Sequence, residues 1–371
     1  MNLSLSRRAR TLLASLAIVG GAVALTTPVA EAAGSNGAVY VLGNQTSGNN
    51  VLVFARHADG TLAAPVSVST GGAGSGGGLG SQGAIVLDES GRHLYAVNAG
   101  SNTITSFRVH PNGLERVDIV DSGGVMPTSI AVDDDLLYVL NAGGAGSISG
   151  FSVDDGDLAP LAGSTRPLSG AGTAPAQVSF TPNGDQLIVT ERATQKIDVY
   201  EVGADGLATG PTVVASVGVT PFGFGFDNKD HLIVSEAFGG GADASAVSSY
   251  GVGAGALTPV SGSVPTTETA ACWIAVTNSG RFAFAGNAGG SVSAYAVAPD
   301  GTLTLRDADG RTAAPGTGVT DLATSRNSQF LYGRLGNGMV AAWAIGNDGS
   351  LTDLGHQAGL PLAGAAGIAA A

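Results

Sequence analysis

One cysteine, Cys272, stands in 371 residues, so an intramolecular disulfide is excluded. Its neighbours Ala270, Ala271, Trp273 and Ile274 mark it as a buried, inert thiol, since a reactive thiolate needs an electropositive setting and none is near in sequence. Basic residues are also scarce: 16 Lys and Arg face 29 Asp and Glu, a net charge of −13. That balance repels nucleic acid and anionic headgroups and expects neither as a partner. Long apolar runs are missing after residue 25, because Gly and charged residues interrupt every later stretch, so no later segment is expected to cross a membrane. Only five histidines are present.

The first 32 residues read as a segment removed on export. Arg7, Arg8 and Arg10 precede an apolar run from about Leu12 to Leu25, and Ala30-Glu31-Ala32 follows as a small-x-small cleavage site. The expected mature domain is 33–371 and secreted. Ser6-Arg7-Arg8 hints at a twin-arginine signal, which Arg10 and Thr11 weaken. Without residues 1–32, which hold three arginines and one glutamate, the net charge goes from −13 to −15.

What is abundant is repetition. Phe54, Phe107, Phe151, Tyr200, Tyr250, Tyr295 and Trp343 recur at steps of 44 to 53 residues, each followed by a turn glycine and a leucine, as in Gly60/Leu62 and Gly301/Leu303. Each is preceded by a strand such as LYAVN (Leu94–Asn98), LYVLN (Leu137–Asn141), LIVTE (Leu187–Glu191) or LIVSE (Leu232–Glu236). That period is one four-stranded propeller blade. The expected fold is all-β, a single seven-bladed β-propeller over 33–371.

In each blade strand A lines the channel and B, C and D step outward. The A–B and C–D turns form the bottom face, and the B–C and D–A connections form the top. Pro182-Asn183-Gly184 and Asn278-Ser279-Gly280 suit A–B hairpins, and Asp59-Gly60 and Asp300-Gly301 suit C–D hairpins. Blade 1 begins at strand B (Val39–Asn44), while Ala365–Ala371 reads as a spare strand A. The C-terminal strand is therefore expected to fill the inner slot of blade 1 and pair with Val39–Gly43. The Gly-rich connection Gly71–Gly80 contains Gly72-x-Gly74-x-x-Gly77. It joins two strands, with no helix N-terminus for a pyrophosphate, so it reads as a flexible rim loop and no cofactor is expected.

Candidate chemistry lies at two rings near the top. Strand B ends in Asn44, Asn98, Asn141, Glu191, Glu236, Asn287 and, in blade 7, Arg334. The asparagines suit turn-stabilising hydrogen bonds into the B–C loop, or contacts to substrate. Glu191 and Glu236 break the asparagine pattern. A carboxylate facing the channel mouth would have its pKa raised toward the general-base range, and the alternative is a salt bridge to Arg192 or Lys196. Arg192 and Arg334 are candidates to hold negative charge. Arg192 points away from Glu191 if the strand continues through both. At or near the start of strand A fall Gln82, Ser129, Gln177, Phe222, Trp273 and Asp321. Gln177 and Asp321 could meet a polar ligand group, and Phe222 and Trp273 form an apolar wall or pack in the core. His57, His93, His110 and His231 map to bottom turns and His356 to an outer strand, so no His-based metal site or Ser-His-Asp triad is expected at the mouth. No dense oxygen-ligand motif for Ca²⁺ appears, and no metal is expected.

The repeated phrase P-x-x-I-A-V, L-Y-V-x-N, I-x-x-F-x-V-x-x-D-G-x-L resembles the lactonase-type seven-bladed propellers, which include propeller-type 6-phosphogluconolactonases and carboxymuconate-cyclising enzymes. VTERATQKIDVY (Val189–Tyr200), SEAFGG (Ser235–Gly240) and ACWIAVTNSGRFAFAGNAGG (Ala271–Gly290) look like secreted actinobacterial members. The resemblance implies an acidic residue at Glu191, with histidine and arginine beside it. Here Ala176 and Gln177 stand where those histidines are expected. Two readings follow. One is a secreted, monomeric lactonase-like enzyme that opens or forms a cyclic ester, with Glu191 as base, Glu236 shaping the site and Arg192 or Arg334 stabilising charge; Gln177, Asn98, Asn141, Asn287, Asp321 and Trp273 would contact the substrate. The other is a non-catalytic module binding an extracellular ligand across its loop-rich rim. A redox propeller would need cofactor-stacking aromatics, which two tryptophans scarcely supply.

Overall fold

A computed structural model describes residues 37–371, so the expected export segment lies outside the described residues. Among the described residues the regular structure is seven antiparallel sheets and one short 3-10 turn at Phe238–Gly240. Each sheet has four strands in the order inner to outer, and blade 3 adds a short fifth strand, Arg166–Pro167, beside Ser147–Asp154. The inner strands are Ala366–Ala370, Ile85–Leu87, Pro127–Asp133, Pro175–Phe180, Pro221–Phe226, Ala271–Val276 and Val319–Thr324. The chain is a seven-bladed β-propeller.

The repeat landmarks explain why these sheets pack. Phe54, Phe107, Phe151, Tyr200, Tyr250, Tyr295 and Trp343 are all buried, and apolar clusters run from one blade into the next. Burying such side chains contributes about 2–3 kcal/mol each. The tyrosine hydroxyls also join blades: Tyr200 Oη donates to Pro167 O at 2.8 Å and Tyr295 Oη to Val264 O at 3.0 Å. The bottom turns are closed by glycines at positive φ, among them Gly60 (88°), Gly184 (73°), Gly280 (68°) and Gly301 (83°), a conformation a side chain disfavours.

The C-terminal strand closes the ring as expected. Val39 pairs with Ala370, Tyr40 with Ala369 and Val41 with Ile368. Blade 1 thereby gains its inner strand, and no open sheet edge faces the channel there. The Gly-rich connection, by contrast, is no loose rim. Asn44 Nδ2 donates to Gly77 O (2.8 Å) and Gly364 O (3.0 Å), and Asn44 Oδ1 accepts from Ser75 N (2.9 Å), so one buried amide holds the loop down. A Cβ at Gly74 would come within 2.1 Å of the Asn44 backbone, which is why the loop must be glycine at that approach.

Five inner strands start with a register shift, between Pro127/Ser129, Pro175/Gln177, Pro221/Phe224, Ala271/Trp273 and Val319/Leu322. An irregularity of this kind re-aims side chains. It decides which residues meet at the top of the channel.

Candidate functional site

The register places Asn141, Glu191, Glu236 and Asn287 at one equivalent position, opposite Pro127, Pro175, Pro221 and Ala271. All four, and Asn98, are completely buried. They reach the connection arriving from the preceding blade and the hydroxyls of the third strand, rather than only the B–C loop as the turn reading expected. Asn98 Oδ1 accepts from Thr70 Oγ1 (2.6 Å), while its Nδ2 donates to Thr103 and Thr105 Oγ1 (3.0 and 2.9 Å). Asn141 Nδ2 donates to Ser122 O (3.1 Å), and Asn287 Nδ2 to Ser291 and Ser293 Oγ (3.0 and 2.8 Å).

The two glutamates fill the same role with acceptors only. Glu191 accepts from Ser169 N (3.0 Å), Ser169 Oγ (2.7 Å) and Thr194 Oγ1. Neither Arg192 nor Lys196 forms an ion pair with it; Lys196 Nζ instead donates to Ser169 Oγ at 3.3 Å. Asp198, a residue that the sequence reading passed over, shares the Ser169 N–H at 3.0 Å. Burial, and then its contact with Glu191, pushes the Asp198 carboxyl up to about 8. As a carboxylate its Oδ1 has no hydrogen-bond partner; as an acid it donates to Glu191. The signal in sequence was a carboxylate between Ile197 and Val199 in a strand buried on both faces. Glu236 accepts from Gly218 N (2.9 Å), Ser263 Oγ (2.7 Å) and Ser248 Oγ. Burial raises its pKa, against the lowering pull of those three donors. Both glutamates thus lie beneath the loops with no exposed surface, not facing the channel mouth.

Blade 7 departs from the pattern. Its inner strand pairs Val319 with Leu335 and Leu322 with Gly333, so Leu335, not Arg334, occupies the asparagine–glutamate position. Arg334 sits one residue earlier and its side chain turns to the opposite face, as the period of two in a strand requires. Thr190 and Ser235 hold the corresponding place in blades 4 and 5, where their hydroxyls donate to Phe222 O and Gly223 O. Arg334 Nη2 donates to Thr320 O (2.7 Å), and its Nε is buried without a hydrogen-bond partner. Asp321, 1% exposed, has one oxygen on Leu322 N (2.9 Å), while Oδ2 has no partner. Burial pushes Asp321 up to about 7, with Arg334 and the Leu322 N–H pulling it down. The same shift in register puts Gly223, rather than Phe222, at the position held by Gln177, Trp273 and Asp321 in other blades.

The upper channel is tied across. Gln82 Nε2 donates to Ile274 O (2.6 Å) and its Oε1 accepts from Ile274 N (3.0 Å), spanning blades 2 and 6. Trp273 Nε1 donates to Ser81 O (3.1 Å). Gln177 makes the same two-way clasp on Phe224, at 3.1 and 2.7 Å. Arg192 lies over the Phe222 ring (5.1 Å), which meets Trp273 edge-on (5.4 Å), and its Nε donates to Ala174 O (3.0 Å). The strand ends at Glu191, and Arg192, in the turn beyond it, takes partners other than those of Glu191. Cys272 is buried as expected, and burial pushes its thiol up to about 12. A cavity of about 250 Å³ follows the channel, lined by Gln82, Gln177 and apolar residues such as Ile85 and Ile368.

Histidines His93 and His231 pair with Asp88 and Asp227 in bottom turns, at 3.0 and 2.8 Å. Among the described residues no group of three or more His, Cys, Asp or Glu is placed to hold a metal ion.

A family model described as "Lactonase, 7-bladed beta-propeller" matches residues 34–166. The resemblance read from the repeats thus holds: the chain is similar to the lactonase-type seven-bladed propellers. The periplasmic gluconolactonase of Pseudomonas aeruginosa superposes with a TM-score of 0.71 at 19% identity, covering 90% of this chain and 99% of its own. A protein of Bacteroides fragilis provisionally named a 6-phosphogluconolactonase gives 0.69 at 19% identity, covering 90% and 98%. A Lactobacillus plantarum protein gives 0.71 at 18%, covering 90% and 99%. At such identities the likeness carries the fold. No curated protein matches the chain.

Proposed function

We propose that this lactonase-like propeller is an exported enzyme that hydrolyses a lactone at blade 7, with Asp321 as general base and Arg334 as the group that holds developing negative charge. One observation carries this reading: Asp321 Oδ2 and Arg334 Nε are both buried and both lack a hydrogen-bond partner. Buried polar atoms are nearly always satisfied, so such a pair has hydrogen-bonding capacity free for a water and a substrate oxygen. Asp321 near 7 is poised to accept a proton at neutral pH. It would take one from water as the water oxygen bonds to the ring carbonyl carbon. Arg334 Nε–H would stabilise the resulting oxyanion. The ring C–O bond then breaks, the alkoxide takes the proton back, and a hydroxy acid leaves. Few cations line this region, which favours a neutral or carboxylated lactone over a phosphorylated one.

The saturated state of Glu191 and Glu236 favours giving them a scaffolding role within this scheme. The cross-channel ties of Gln82 and Trp273 favour a second reading, a non-catalytic module that binds its ligand on the rim. A hydrolysis screen of residues 33–371 against aldono-, muconate-derived and acyl-homoserine lactones separates the two. Turnover lost in Asp321→Asn and Arg334→Gln, but kept in Glu191→Gln, supports the blade 7 reading. Full activity in Asp321→Asn, or no turnover by the folded protein on any lactone, overturns it.

A further inference from the structure

The repeat supplies an internal standard for one position at the top of the ring. In blades 3 to 7 the residue just past strand B donates its N–H to the carbonyl of the residue just before strand A. The bonds run from Ala142 to Met126 O (2.9 Å), Arg192 to Ala174 O (3.3 Å), Ala237 to Thr220 O (3.0 Å), Ala288 to Ala270 O (2.9 Å) and Gly336 to Gly318 O (2.9 Å). Ala142, Ala237, Ala288 and Gly336 close this turn with a methyl group or no side chain at all, and blade 4 alone carries a guanidinium. The turn itself therefore does not call for an arginine. Blade 4 departs from its neighbours on strand C as well. Lys196 and Asp198 stand opposite Glu191 and Val189, where blades 3 and 6 place Ser147 and Ser149, or Ser291 and Ser293. Charge gathers at the top of this one blade, on a repeat that closes elsewhere without it.

The Arg192 guanidinium is held in place but not neutralised. Its Nε donates to Ala174 O at 3.0 Å. It lies over the Phe222 ring, 5.1 Å from the centroid, and against Gly80 of the connection between blades 1 and 2, where a Cβ would come within 3.0 Å of both Nη1 and Nη2. Among the described residues Nη1 and Nη2 donate to no acceptor, and Arg192 enters no ion pair. Glu191, next in the chain, gives its oxygens to Ser169 and Thr194. Burial lowers the Arg192 pKa, and only the Cys272 thiol acts against that. A partly desolvated cation without a counter-ion is a state that a bound anion relieves. The Phe222 ring belongs to a small apolar cluster with Ala176, Ala237, Cys272 and Trp273, with Ala270 packed against it.

We propose that Arg192 binds a small organic carboxylate at the top of the channel, the carboxylate oxygens accepting from Nη1 and Nη2 and the apolar body of the ligand resting beside the Phe222 cluster. A planar carboxylate matches the paired donors of one guanidinium. One guanidinium suits a monoanion, and a net charge of −13 holds off a dianion such as phosphate. The site stands on these contacts rather than on hydrolysis at blade 7. Its test reads binding and not turnover, so either reading can fail without the other.

The test is calorimetric titration of the folded protein with benzoate, with the neutral isostere benzamide and with sulfate, at pH 7 and fixed ionic strength. Arg192→Ala gives the position the side chain found in blades 3, 5 and 6, and Arg192→Gln is a second variant of closer bulk; a thermal melt checks that both fold. Arg166, which donates to Gly163 O and Thr165 O in blade 3, supplies the control Arg166→Ala. Saturable benzoate binding that weakens tenfold or more in both Arg192 variants, stays unchanged in Arg166→Ala and is absent for benzamide is the expected result. No saturable benzoate binding by the parent, or an affinity kept in the Arg192 variants, overturns the site. Equal weakening in Arg166→Ala would mean a diffuse charge effect and also overturns it. Benzamide or sulfate binding as tightly as benzoate would overturn the carboxylate assignment.

Discussion

Glu236 in blade 5 and Asp321 in blade 7 are both buried carboxylates near the top of the ring, and they differ in what surrounds them. Glu236 has three donors, from Gly218, Ser248 and Ser263, and a Cβ at Gly218 would fall 1.9 Å from its Oε2. Asp321 has only the N–H of its own neighbour and leaves one oxygen without a partner, as Arg334 leaves its Nε. Burial raises both pKa values, so burial does not separate them. Unmet hydrogen-bonding capacity does. A satisfied buried polar group specifies packing, whereas an unsatisfied one costs stability unless something else occupies it.

The severest way to break that contrast is to take away the closing strand, which packs with Phe330 and Tyr332 of blade 7. Deleting residues 366–371 should lower the melting temperature by on the order of 10 °C or abolish a cooperative melt, since blade 1 would lose its inner strand. An unchanged melt would disprove closure as a stabilising device. Next in size, Glu236→Ala should cost about 3 kcal/mol in denaturant unfolding, because three donors are left buried and unpaired. Asp321→Asn should cost far less, and equal losses at the two sites would erase the distinction between them.

A finer comparison uses pH. The folded-state pKa of Asp198, about 8, lies above its ordinary value of 3.8, so the folded state keeps a proton that the unfolded state has lost. The associated stability is fully present below about pH 4 and is lost as pH rises through about 8. Asp198→Asn should therefore raise the melting temperature at pH 8 and leave it nearly unchanged at pH 4; a pH-independent effect would argue against proton sharing with Glu191. The smallest expected change is Arg192→Met, worth about 1 kcal/mol through its stacking on Phe222.

How much of this was legible beforehand depends on distance along the chain. The seven blades and the closing strand follow from spacing, since each landmark repeats with its turn glycine and needs no knowledge of side-chain direction. The glycines of the bottom hairpins were equally readable, because positive φ is a local demand. Side-chain fate at the inner strands was not. The slip recurs at the same place in blades 3 to 7, so Leu335, not Arg334, stands opposite Val319 as Glu191 stands opposite Pro175, and Gly223 rather than Phe222 lies two residues past the first pair as Gln177 does. Strand sequence carries the alternation but not the point where it slips. The asparagine ring was seen as a ring, yet some of its partners lie in the preceding blade, as Thr70 does for Asn98 and Ser122 for Asn141. The Gly-rich connection read as loose because its anchor, Asn44, lies some thirty residues away.

The pairing of Val39 with Ala370 also sets an order of events in time. During synthesis, six blades can assemble their four strands as each leaves the exit tunnel, but the first to appear must wait for the last strand to be made. Val39, Val41 and Ile368 share one apolar cluster, so until then the surface of blade 1 that this strand covers stays exposed. A ring locked this way keeps one seam unzipped for nearly the whole of its synthesis. That seam is where a chaperone would grip it, and where a stalled or prematurely ended chain would begin to aggregate.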